Sequence, residues 1–197
     1  MKNYWNNFYK KNDGNNFPHS SVIRLFYKKF SKKRKNLFFL DLGAGTGSSL
    51  KILDRNNFYL DLIDISSSAV KKLKNKTKYK KNICVYKSQF NEFLKKNTRK
   101  YDLIIDSQSL QHQDLKKTII SYKYIYDSLK GGGYFLTIHM NFHKLMNKKT
   151  CRVYTFSEKK IINSIRKFFK NFDHNIEYYT ESNKKKYTKY NIIIAKK

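Results

Sequence analysis

Leu40-Asp41-Leu42-Gly43-Ala44-Gly45-Thr46-Gly47-Ser48-Ser49-Leu50 decides the fold. It closes a short continuous apolar run, Leu37–Leu42, of the kind expected of a strand buried on both faces. A glycine-rich turn follows and leads into a helix expected to run through about Asn56. Glycines at such a turn let the backbone approach a ligand closely, and the start of a helix offers free N–H groups. The spacing is G-x-G-x-G, not the G-x-G-x-x-G of dinucleotide sites, which counts against a nicotinamide oxidoreductase. Taken alone, the turn also suits a tight strand–helix connection that binds nothing.

Downstream, strands and helices alternate. Tyr59–Ile65 reads as a second strand, and Ser66–Ser68 offers caps for a helix through Lys76. Ile83–Tyr86 reads as a third strand, followed by a short helix near Asn91–Asn97, and Tyr101–Asp106 as a fourth strand. Asp114 is placed to cap a long helix that ends at Gly131–Gly133, glycine being the usual C-terminal stop. Tyr134–Met140 reads as a fifth strand. Ser157 caps a helix through Phe172, with Ile161, Ile162, Ile165, Phe168 and Phe169 on one face. Ile176–Thr180 and Tyr187–Ala195 read as two last strands joined by the basic loop Asn183–Lys186. The alternation predicts an α/β fold, a doubly wound sheet of seven strands, mostly parallel, with a C-terminal antiparallel hairpin.

At 197 residues, with no repeat, Pro-rich linker or Gly/Ser-rich hinge, the chain reads as one domain. Residues 1–34 are expected to form a helical lid carrying Tyr4, Trp5, Phe8, Tyr9 and Phe17 over a core spanning 35–197. An insert at about 140–156 is expected to complete the substrate wall. No apolar stretch approaches the length of a membrane span, and the charged, Asn-rich N-terminus shows no signal peptide. Cys84 and Cys151 form no CxxC pair, which fits a reducing, cytoplasmic compartment.

The formal net charge is +29. It comes from 37 Lys against 6 Arg, beside 20 Asn and only 3 Ala. Lysine pairs recur along the whole chain, which reads as compositional drift toward Lys, Asn, Ile, Tyr and Phe. A dedicated nucleic-acid surface would concentrate charge and favour Arg for bidentate contacts. Lys28–Lys35, six basic residues in eight, is the one concentrated run. Attraction to anions such as RNA at low salt follows from the charge in either case. With 16% aromatic residues there is ample material for a packed core, so wholesale disorder is excluded.

Asp64 closes the second strand, 21 residues after Gly43, where an acidic side chain can accept both hydroxyls of a ribose. A surface Asp beside the Ser66 helix start is the plain alternative. Together these stretches resemble the class I S-adenosylmethionine-dependent methyltransferases. LDLGAGTGSSL is similar to their glycine motif, DLIDIS to their ribose-binding strand end, YDLIIDSQSLQH to their fourth-strand motif, and LKGGGYFLTIH to the turn into their fifth strand. The resemblance covers roughly residues 35–140, and implies a Rossmann-like core with S-adenosylmethionine as cofactor.

It implies, residue by residue, that Gly43, Ala44, Gly45 and Gly47 lie beneath the methionine and ribose parts. Asp41 would orient the cofactor's amino group through water, and Asp64, followed by Ile65, would hold the ribose hydroxyls. Gln89 stands where the family usually has an Asp facing the adenine amine; its carbonyl can still accept that bond. Phe90 would pack on the ring, and Asp106 and Ser107 would line the methionine end. His112 and His139 follow the fourth and end the fifth strand, so they are the candidate general bases, with a structural role as the alternative for each. His143 has weaker support for the same mouth, and His19 and His174 are assigned no role.

Several subclasses lose ground. Asp106-Ser107-Gln108-Ser109 has no Pro-Pro pair of the amino-methylating nucleic-acid enzymes, no cysteine sits at that edge for cytosine chemistry, and the four Glu form no pair of the protein arginine type. No carboxylate cluster has metal-ligand spacing. SLQHQDLKKTI and the N-terminal segment are similar to compact small-molecule methyltransferases, some acting on sugars. A sugar or nucleotide-linked sugar is thus an expected acceptor, with His143, Arg152 and Tyr154 of the insert placed to meet it. An RNA methyltransferase using the basic surface, and a degenerate non-catalytic binding module, stand as alternatives.

Overall fold

Phe39 and Leu40 point to opposite sides of the same strand, and each belongs to a different core. In this computed structural model the strand is β1 (Phe38–Leu42), an inner strand of a seven-stranded sheet, between β2 and β4. The structure describes residues 2–32, 36–54, 58–141, 153–154, 156–180 and 187–197. The other strands are β2 (Tyr59–Asp64), β3 (Ile83–Lys87), β4 (Tyr101–Ser107), β5 (Leu129–Asn141), β6 (Asn171–Thr180) and β7 (Tyr187–Lys196). Their order is β3-β2-β1-β4-β5-β7-β6. The first five are parallel, and β7 runs antiparallel between β5 and β6. This is the Rossmann-like sheet with its terminal hairpin expected from the sequence.

Helices α1 (Lys2–Lys11), α2 (Ser20–Lys29), α3 (Leu50–Leu53) and α4 (Ser67–Thr77) precede β3. Helices α5 (Phe90–Lys96), α6 (Leu115–Ser128) and α7 (Glu158–Arg166) follow it. Val22, Phe26, Leu53 and Leu73 join Phe39, Leu62, Ile105 and Ile138 in the core on one side. Leu94, Tyr122, Ile125 and Ile165 join Leu40, Ile63, Ile104 and Phe135 on the other. A strand covered on both faces needs apolar residues at every position, so β1 shows no polar alternation until Asp41. Caps read from the sequence are formed: Ser66 accepts from Ala69 N–H, Asp114 from Lys117 N–H and Ser157 from Lys160 N–H.

Three expectations are corrected. The long helix does not run to Gly131–Gly133; it stops at Ser128, and the glycines lie inside β5. Leu129 is already extended and pairs with Tyr101, whereas Tyr134 pairs with Leu103, so the register shifts across the glycines. A Cβ on Gly133 would lie 2.9 Å from the Tyr101 carbonyl oxygen, and Gly132 has φ +76° and donates to the Lys197 carbonyl. These glycines serve an irregular strand and not a helix cap. The last helix ends at Arg166, and Phe172 belongs to β6, where it pairs with Ala195. The helix after the glycine turn is only the four residues of α3. The expected end of that helix at Asn56, the hairpin loop 183–186, and Cys151, His143 and Arg152 lie outside the described residues.

Candidate functional site

The strand order reverses between β1 and β4, and a crevice opens there beyond the strand C-termini. The crevice is a cavity of about 700 Å³. Strand parity selects its wall. Asp41 lies on the Phe39 side of β1, Asp64 on the Leu62 side of β2, Ser107 on the Ile105 side of β4 and Met140 on the Ile138 side of β5. All four line the cavity. Gly43, Ala44, Gly45, Ile65, Gln89, Phe90 and His112 line it as well. Helix α1 covers it with Trp5, Phe8 and Tyr9. Asn6 anchors this cover by accepting from Ser67 N–H at 2.7 Å. Helix α2 is different: Leu25 and Phe26 are core residues, and Phe17, in the loop before it, is exposed.

Asp64 is buried, and each of its carboxylate oxygens accepts one backbone N–H. Oδ2 takes Gly45 N at 2.9 Å and Oδ1 takes Ser66 N at 2.8 Å. One carboxylate therefore ties the glycine turn to the start of α4 while facing the cavity. Burial pushes it up to about 6, against the backbone hydrogen bonds that lower it. Asp41 accepts the Ser49 hydroxyl. Burial pushes Asp41 up to about 7; the Ser49 bond lowers it, while Asp106 and Asp64 raise it further. Among the described ion pairs, neither Asp41 nor Asp64 has a cationic partner. Two desolvated carboxylates on one wall fit a ligand that brings positive charge.

Three residues expected at the site stand elsewhere. Asp106 is fully buried on the opposite face of β4, where it accepts Ser109 N at 2.9 Å, Leu110 N at 3.0 Å and the Thr137 hydroxyl at 2.6 Å. It shapes the turn and leaves the wall to its neighbour Ser107. Gly47 packs helices: a Cβ there would lie 2.6 Å from Leu50 Cδ1 and 2.8 Å from Leu73 Cδ2. His139 is buried against α6, its Nε2 3.1 Å from the Tyr122 hydroxyl, and burial pushes it down to about 4. His112 is brought to the cavity by a 3-10 turn, Leu110–His112, with its ring edge-on to Trp5 at 5.1 Å. Gln89 caps α5 with its backbone, and its amide donates to Glu92 at 3.1 Å.

Sequence reasoning missed several wall residues. His19, assigned no role, lines the cavity; its Nδ1 accepts Ser21 N–H, and burial pushes it down to about 4. Gln108 adopts φ +68°, a strained conformation common near functional sites. No glycine or asparagine announces it. Ser109 meets the Gly43 carbonyl, and Gln111 accepts from both Met140 N–H and Tyr154 N–H, each at 2.8 Å.

A family profile described as a methyltransferase domain matches residues 33–192. The chain belongs to this methyltransferase domain family. No curated protein matches its sequence significantly. Among solved structures it is similar to TehB from Haemophilus influenzae, at 17% identity and TM-score 0.72, over 98% of this chain and 67% of that one. It is similar to the N-methyltransferase NodS from Bradyrhizobium japonicum, solved with S-adenosylhomocysteine, at 13% identity and TM-score 0.66, over 98% of each chain. It is also similar to magnesium protoporphyrin IX methyltransferase from Synechocystis PCC 6803, solved with S-adenosylmethionine, at 16% identity and TM-score 0.64, over 89% of this chain and 76% of that one. At these identities the likeness establishes the fold, and the family establishes a methyltransferase domain. No helix among the described residues is long and apolar enough to cross a membrane.

Proposed function

We propose that this methyltransferase acts on an oxygen or nitrogen of a small-molecule acceptor held in the covered cavity between the glycine turn and α1. The observation that carries the reading is a concave, part-open cavity with α1 along its wall. A cavity of about 700 Å³, roofed by Trp5, Phe8 and Tyr9, has the size and cover of a small-molecule site. An RNA strand needs an open, positively charged groove instead. Residues 1–34 act in part as a lid, through α1 and the loop behind it, while α2 belongs to the core.

The wall residues fit the cofactor. Gly43, Ala44 and Gly45 support its methionine and ribose parts, and the two Asp64 oxygens accept the ribose hydroxyls. Asp41 holds the amino group through water, and the Gln89 carbonyl with Phe90 receives the adenine, next to Ile65. Ser107 borders the methionine end, with Asp106 holding the turn behind it and Gly47 letting α3 close on α4. S-adenosylmethionine supplies an electrophilic methyl group on a sulfonium. The chain orients the acceptor in line with it and excludes water through the α1 cover. Where the acceptor must lose a proton, His112 is the base; His139 is buried away from the wall.

The test is to incubate the protein with methyl-labelled cofactor and two fractions of a cell extract, dialysable solutes and total RNA. Label is expected in the dialysable fraction. Label in RNA, or in neither fraction, overturns the reading.

The raised carboxylates carry a pH signature. Asp41 and Asp64 bind more protons folded than unfolded between about pH 4 and 7, so stability without ligand falls as pH rises through that window. A ligand bearing a cation prefers the ionised wall, so its binding releases protons and strengthens as pH rises. Affinity for S-adenosylhomocysteine, which keeps the ammonium, is expected to rise about tenfold from about pH 6 to 8. Asp41→Asn is expected to flatten the rise, measured by calorimetry in buffers of different ionisation enthalpy.

A further inference from the structure

Lysine is the commonest charged residue of this chain, yet among the described residues it is almost absent from the cavity lining. The charged residues among the described lining are Asp41, Asp64, Glu92, Asp114 and Lys117. Lys117 lies 3.8 Å from Asp114, and its side chain is largely exposed. In a chain with 43 basic and 14 acidic residues, four carboxylates against one paired lysine is a selective wall and not a sample of the surface. Asp41 and Asp64 are taken up by the cofactor reading. What remains for the acceptor is mainly aromatic and amide, with Glu92, Asp114 and Lys117 as its charged residues.

Trp5 is the hub of that part. Its ring stacks on Tyr9 at 5.8 Å and meets Phe8 at 5.6 Å and His112 at 5.1 Å, both edge-on. Gln111 holds two further wall residues. Its side-chain oxygen holds Met140 N–H and its carbonyl holds Tyr154 N–H, so both residues are kept on the cavity wall. Trp5, Phe8 and Met140 give the wall apolar surface on which a ligand face can lie. A phosphate there would find no unpaired cation among the described lining residues and would share the wall with Glu92 and Asp114.

We propose that the acceptor is a small non-anionic molecule that lays an apolar face on Trp5 and Phe8 and turns its nucleophilic atom toward His112. The inference rests on the cofactor reading above and narrows it. Nucleotide-linked sugars and RNA fall outside it, despite the net charge of +29.

Trp5 is the chain's single tryptophan, so its indole N–H resonance reports on this wall alone. Protein saturated with S-adenosylhomocysteine, at about 0.3 M salt to screen the surface charge, is titrated with three probes that share one ring. These are 4-methylphenol, phenethylamine and phenyl phosphate. The neutral and cationic probes are expected to shift the Trp5 resonance saturably, with phenyl phosphate at least about tenfold weaker. Phenyl phosphate binding as tightly as the others, or no saturable shift from either non-anionic probe, overturns the inference while the cofactor reading stands. Failure of S-adenosylhomocysteine to bind in the first step overturns the cofactor reading, and this inference with it.

Discussion

Asp64→Ala is expected to weaken S-adenosylhomocysteine binding by about a hundredfold, or about 3 kcal/mol. Two losses add up. The ribose loses two charge-assisted acceptors, each worth about 1.5–3 kcal/mol when the partner is left without a substitute. Gly45 N–H and Ser66 N–H lose the oxygen that binds each of them at under 3 Å, so the turn is no longer tied to α4. The effect on folding is expected to be smaller than the effect on binding. The carboxylate is itself strained by burial, as its rise to about 6 shows, and removing it relieves that cost. Calorimetry at about 0.3 M salt, with NAD as a control ligand, reads the outcome. A mutant that binds within threefold of the wild type removes Asp64 from the cofactor site. NAD binding in place of S-adenosylhomocysteine restores the dinucleotide reading that the G-x-G-x-G spacing disfavours.

The strand and glycine turn at 37–47 and the start of α4 were legible because their signals are local. A continuous apolar run, glycines at alternate positions and Ser66 at a helix start each speak for their own segment. Asp64 was legible for the same reason, as an acidic residue at a strand end. Parity was not. Strands β1, β4 and β5 are apolar on both faces, so nothing in LFFLDL, YDLIID or YFLTIHM says which alternate set faces the cavity. Asp106 and Ser107 are neighbours on opposite faces, as are His139 and Met140. In each pair the residue facing the cavity is the less conspicuous one chemically. The glycines at 131–133 failed differently. Glycine after a helix suits a cap and an irregular strand equally, and the choice was made by pairing with Tyr101 and Lys197, both distant in sequence. Gln111 and Trp5 gain their importance from contacts across the fold, which spacing does not encode.

Gly43→Ala is expected to destabilise the fold by about 3 kcal/mol and to abolish cofactor binding. Gly43 has φ +71°, a conformation that costs an L-residue about 1–2 kcal/mol. An added Cβ would lie 2.0 Å from Ser109 Oγ and 2.5 Å from Ser109 Cβ. Overpacking of this kind costs about 1–3 kcal/mol when the neighbour cannot move. Ser109 cannot move freely, because Asp106 holds its N–H and that of Leu110, and Asp106 is itself held by Thr137. The strain therefore passes into the turn that carries Ser107 and His112. For a chain of this size the loss corresponds to a drop in Tm of about 6–12 °C. Gly131→Ala is the control. Nothing lies within 4 Å of its added Cβ and its φ is not positive, so its effect is expected within about 0.5 kcal/mol. The double change Gly43→Ala with Ser109→Gly removes the clashing side chain and leaves the backbone cost. It is expected to recover roughly half of the lost stability, and the coupling between the two positions measures the contact directly. Additive losses in that cycle would show that the turn closes on Gly43 by some contact other than Ser109.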